Sequence, residues 1–134
     1  AYVEDARRAH VTSALRATMV SQPEVPDYDP VELRAATGIV MPELPAEWVV
    51  RDVQVFPSRF GPSVEMAIAT ETFGLVSLFA VRPGTFDVVR PTIAGGSDTS
   101  AAFFQIGEVA YALVASGDAR KLDGAAERLA NTLY

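Results

Sequence analysis

Hydrophobic spacing changes its period twice along the chain. Over residues 2–20, Ala6, His10, Val11, Ala14, Leu15, Thr18 and Met19 recur at intervals of three and four, which predicts an amphipathic helix with these residues on its packed face. Glu4 and Asp5 suit the positive end of its dipole. SQPEVPDYDP (21–30) holds three prolines and predicts an extended connector. A short helix follows, with Asp29 as N-cap, Pro30 at the first helical position, Glu32 at capping-box spacing and Gly38 as its terminator. IVMPELP (39–45) predicts a second proline-bearing connector.

From Trp48 the period becomes two. WVVRDVQVF places Val49, Val53 and Val55 on one face, interrupted by Arg51. After a turn at SRFGP (58–62), VEMAIATE places Val64, Met66 and Ile68 on one face and Glu65 and Glu71 on the other. A tight connection at Phe73–Gly74 leads into LVSLFAVRP (75–83), a more fully apolar run that predicts a central strand. TFDVVRP (85–91) reads as a fourth strand and TIAGGSDTS (92–100) as a mobile loop. In AAFFQIGEVAYALVASGD two apolar runs flank Gly107–Glu108, a hairpin signal. Asp118 then caps a closing helix whose Leu122, Ala125, Ala126, Leu129, Ala130 and Leu133 form a continuous stripe, and Gly124 inside it suggests a close packing contact. The order predicts an α+β fold. One domain (1–134) would hold a single antiparallel sheet of about five or six strands (48–115), with an N-terminal helix (2–20) and a C-terminal helix (118–134) packed on one face of it.

The 134 residues suit one domain, and a chain of this size buries enough surface to need no disulfide or metal. With 49% hydrophobic and 21% charged residues the composition is globular and excludes disorder. A net charge of −6 argues against a nucleic-acid surface or an anionic-lipid patch. The absence of cysteine excludes thiol catalysis, thiolate zinc sites and iron–sulfur clusters. Ten Arg against one Lys (Lys121), with 21 Ala, point to a GC-rich, bacterial coding habit. No apolar run approaches the roughly 20 residues that span a bilayer. The helical pattern begins straight after Ala1, as expected of a domain from a longer protein.

Candidate chemistry is thin. His10 is the single histidine and lies in an Ala-rich helix, and none of the eight serines sits in a G-x-S-x-G setting, so His10 is expected to be a partly buried or hydrogen-bonded helix residue. The acidic pairs Asp27/Asp29 and Glu4/Asp5 lack calcium-loop spacing and read as caps and solvated charge. No glycine array cradles phosphate, and RPGTF (82–86) reads as a turn. Phe103, Phe104 and Tyr111 cluster around the last hairpin, with Tyr28, Trp48 and Phe60 elsewhere; core packing explains them better than an aromatic pocket. No catalytic, cofactor-binding or metal-binding residue is assigned, no cofactor is expected, and the chain reads as a non-enzyme.

The order of segments resembles the extracytoplasmic region of bacterial single-pass transmembrane anti-sigma factors. The matching features are Ala9–His10 in DARRAHVTSALRA, the capped helix YDPVELRAATG, the connector MPELPAEW, the strands PSVEMAIATETFGLVSLFAVRP and the closing block FFQIGEVAYALVASGDARKLDGAAERLA. In that block Gly107 and Tyr111 keep the family spacing, and Phe104 stands where the family often has Trp. The resemblance covers roughly residues 5–134 and rests on packing and turn positions. It implies a periplasmic, non-enzymatic sensory domain that couples envelope signals to release of a cytoplasmic sigma factor. The sigma factor would be bound by a cytoplasmic region this sequence does not contain. An envelope protein or small molecule would supply the signal, nucleic acid would not be a partner, and a homodimer is compatible with the pattern. The alternative is a small acidic secretion-type chaperone that binds a partner protein, a class with similar length, acidity and terminal helices.

Overall fold

The computed structural model describes residues 2–94, 99–116 and 119–133. Period-two patterning becomes six strands: β1 (Val49–Ser58), β2 (Gly61–Thr70), β3 (Gly74–Val81), β4 (Asp87–Ala94), β5 (Ser100–Gly107) and β6 (Val109–Ala115). The period-3.6 stretches become α1 (Tyr2–Arg16), α2 (Pro30–Thr37) and α3 (Ala119–Asn131). All strand pairs are antiparallel, in the order β1-β2-β3-β6-β5-β4. The sheet is therefore two three-stranded meanders, β1–β3 and β4–β6, joined along one seam where β3 pairs with β6 from Val76↔Ala115 to Val81↔Ala110. The fold is α+β, as the sequence predicts.

Local chemistry places the turns. Ser58 Oγ donates to Gly61 O at 2.8 Å and accepts from Phe60 N, closing the β1–β2 hairpin. Gly107 enters the β5–β6 hairpin with φ 69°, a left-handed conformation that favours glycine. Asp29 caps α2 by accepting from Val31 N and Glu32 N, and Gly38 ends it at φ 74° with its N–H on Arg34 O.

Several expectations change. α1 stops at Arg16, short of residue 20: Thr18 and Met19 bond back to the carbonyls of Leu15 and Arg16, so the chain leaves in tight turns. Val11 and Leu15 are 65% and 62% exposed, and Met19 is also exposed; the packed face is Ala6, Ala9, His10 and Ser13. A bulge between Val50 and Asp52 absorbs Arg51, so Val50 rather than Val49 shares a face with Val53 and Val55. β4 extends through Thr92, Ile93 and Ala94, where the sequence predicts a loop; residues 95–98 of that stretch, and the predicted cap Asp118, lie outside the described residues. A Cβ on Gly124 would meet open space, so no close contact explains that glycine.

The helices pack on opposite faces rather than one. α3 lies on the β4–β5–β6 meander, where Leu122 and Leu129 are fully buried among Phe104, Tyr111 and Leu113, with Leu133 partly buried beside them. Leu33 of α2 and Ile39 and Met41 of the following connector extend that core across Val64, Met66, Ile68 and Leu78. The Tyr111 hydroxyl bonds Val40 O, and Glu43 N donates to Thr132 Oγ1, tying the connector to β6 and to the end of α3. On the other face α1 sits astride the seam, with Ala6 and Ala9 against Phe79, Val81, Ala110, Ala112 and Val114.

Candidate functional site

The face beneath α1 carries the polar side chains of the interior. β2 and β3 send Glu65 and Ser77 to that face, β1 sends Asp52 and Gln54, and α1 lays His10, Ser13 and Arg16 over them. His10, Ser13, Asp52, Glu65 and Ser77 are all buried. His10 Nδ1 lies 2.6 Å from Ser77 Oγ, a helix-to-strand link across 67 residues of sequence. Burial lowers the His10 pKa, which keeps the ring neutral at physiological pH.

Arg16 fastens the end of α1. Its guanidinium pairs with the Asp52 carboxylate and donates to Pro23 O at 2.7 Å. With its amide turned carbonyl-first, Gln54 accepts from Arg16 Nη1 at 2.6 Å. Asp52 Oδ1 also accepts from Val25 N, and Val53 N donates to Val25 O, so one ion pair organises α1, β1 and the proline-rich connector. Such a pair is valuable mainly because removing one partner would strand the other.

Glu65 is the exception in this network. Desolvation raises its pKa to about 7, the charge of Asp52 pushes the same way, and the Ser13 and Ser77 hydroxyls with Arg16 pull it down. Its Oε1 is buried without a hydrogen-bond partner, as is Arg16 Nε. Both residues line a cleft of about 470 Å³ between α1 and the β1–β2 hairpin. Phe56, Pro57 and Phe79 form its apolar walls, the two rings 6.1 Å apart, and Asp5, Arg8 and Arg59 stand at its rim. That volume falls in the range of small-molecule pockets.

The arrangement does not make a nucleophile. Ser77 is fully buried between His10 and the sheet and, unlike Glu65, does not line the cleft, so a substrate carbonyl has no route to its hydroxyl. His10 is a buried, hydrogen-bonded helix residue, as expected. Of the acidic pairs, Asp5 stands at the cleft rim bonded to Arg8 and Arg59, Glu4 pairs with Arg7, and Asp29 is a cap. Among the described residues, no three His, Asp or Glu side chains gather where they could hold a metal ion, and no helix is long and apolar enough to cross a membrane. The aromatic cluster is divided by the sheet. Phe104 stacks on Tyr111 at 4.9 Å inside the α3 core, while Phe103 meets Tyr2 edge-on at 6.0 Å beneath α1.

Sequence reasoning missed Ser77, Asp52 and Glu65. The signal for them was the near-continuous apolar character of β3, which requires both faces of the sheet to be covered. Once α1 covers the second face, the polar positions of β1 and β2 that alternate onto it must be interior. No protein-family model matches this chain, and no match was found among curated proteins or solved structures.

Proposed function

We propose that the chain is a non-enzymatic sensory domain, of the kind found outside the membrane in anti-sigma factors, with α1 as the element that reports the signal. The observation that carries this reading is the unequal docking of the two long helices. α3 is held by fully buried leucines, whereas α1 buries no large aliphatic side chain: it is held by Ala6, Ala9, His10 and Ser13, the partly buried Tyr2 and Val3, the Arg7 hydrogen bond to Ala94 O, and ion pairs to Asp52 and Arg59. An element held by small and polar side chains rather than buried leucines opens at lower free energy than one that buries them, which is what an output element needs. Its position across the seam means that anything shifting the two meanders changes its seat.

The experiment uses the intact parent protein. Ala6→Glu places a charge in the fully buried contact of α1 and should change sigma-dependent transcription while membrane insertion stays normal. Val11→Asp and Leu15→Asp, on the exposed side of α1, should leave transcription unchanged. Unaltered transcription in a stable, inserted Ala6→Glu protein overturns the reading, as does a parent without a membrane span.

A further inference from the structure

Two independent features of the cleft beneath α1 specify what it would hold. Just beneath its floor lies a carboxyl oxygen with no partner: Glu65 lines the cleft and is 5% exposed, and its Oε1 is closed off from solvent and unpaired. A buried unmade hydrogen bond is costly, and a ligand bearing an O–H or N–H donor satisfies it. The rim carries unbalanced positive charge. Arg8 Nη1 and Arg59 Nη2 both approach the same oxygen of Asp5, each at 3.3 Å, so two guanidinium groups share one carboxylate. Between floor and rim, Phe56 and Phe79 present ring surface.

We infer that this cleft is a binding site for a small aromatic acid that carries a hydroxyl at the end opposite its carboxylate. The Glu65 carboxyl turns toward the cleft so that Oε1 accepts from the hydroxyl, the ring lies against Phe56 and Phe79, and the carboxylate meets Arg8 and Arg59 at the mouth. A cation is disfavoured by the rim. An acid without the hydroxyl would reach the floor and leave Oε1 unpaired there. The site stands apart from the reading of α1 as an output element, because the cleft binds or fails to bind whatever α1 transmits.

The probe is 3-(4-hydroxyphenyl)propionate, titrated into the full chain by calorimetry with two relatives that each lack one end. Saturable one-site binding is expected, with 3-phenylpropionate weaker by about tenfold or more, because a site built to pair a hydroxyl rejects the analogue that lacks it. In Glu65→Leu the two acids should bind alike. Thr12→Trp starts from an exposed cleft-lining residue of α1 outside the buried network, and should abolish binding of both. Arg8→Glu, at a largely exposed side chain, should weaken the hydroxy acid and spare 4-ethylphenol. The proposal is overturned if the hydroxy acid shows no saturable binding up to about 10 mM, where any useful affinity would register. It is equally overturned if 3-phenylpropionate binds as tightly, if folded Thr12→Trp binds unchanged, or if Arg8→Glu weakens 4-ethylphenol as much as the hydroxy acid.

Discussion

A carboxyl group under a helix costs free energy in whichever form the site suits least, and for Glu65 that form is the ionised one. Its pKa rises from 4.5 to about 7 on folding, so between those pH values the folded chain holds a proton that the unfolded chain has released. Stability from this group is therefore greatest below pH 4.5 and is lost as pH rises to about 7, by about 3 kcal/mol at 1.36 kcal/mol per unit. His10 acts in the opposite sense. Its lowered pKa leaves the unfolded chain binding more protons below about pH 6.5, so acid removes the stability it contributes. Glu65→Gln isolates the first effect, because the His10 contribution is common to both proteins. The variant should gain on the wild type by about 3 kcal/mol between pH 4.5 and pH 8. Denaturant midpoints across that range check it, and parallel pH profiles would show that Glu65 does not titrate as argued.

The three helices show what kind of docking the sequence makes legible. α3 announces itself: its leucine and alanine stripe at 3.6-residue spacing matches the face that is buried. Leu129→Ala should accordingly destabilise the chain by about 2–5 kcal/mol, read as a shift in chemical denaturation, and a shift under about 0.5 kcal/mol would mean that α3 is not packed as described. α2 was equally readable from Asp29, Pro30 and Gly38, because caps are local chemistry. α1 misleads, because the bulky apolar residues Val11 and Leu15 face out while Ala6, Ala9, His10 and Ser13 face in. A close approach of helix to sheet selects small side chains, and a buried polar network selects partners, and neither produces a hydrophobic stripe. The strands were legible through their alternation, but the bulge at Arg51 shifts the faces by one and no local residue type signals it. Glu65 was hidden for the same reason as α1's true face: whether an alternating polar position is wet depends on what covers it, which is a tertiary fact.

At the scale of the molecule, both edges of the sheet are disrupted. β1 carries the bulge at Arg51 and Pro57, and β4 carries a register shift between Val89 and Thr92 that contains Arg90 and Pro91. Proline and bulges deny a neighbouring chain a continuous ladder, which matters here because Phe86 and Val88 are exposed at β4. Away from the edges, the seam between the two meanders has a further consequence. A single exposed connection, Arg82 to Phe86, links β3 to β4, and every other strand-to-strand link stays within its own meander. Cutting the chain at Gly84 would therefore yield two fragments whose hairpins are complete and whose unmet surfaces are the β3 and β6 edges, the underside of α1 and the Ile39–Met41 strap. Each fragment alone should stay largely unstructured, since three strands with one face uncovered bury too little. Mixed, the fragments should reassemble into the native sheet, detectable as amide resonances of Val76–Val81 and Ala110–Ala115 returning to their intact positions; fragments that stay unfolded together would show that the loop, not the seam, holds the halves in register.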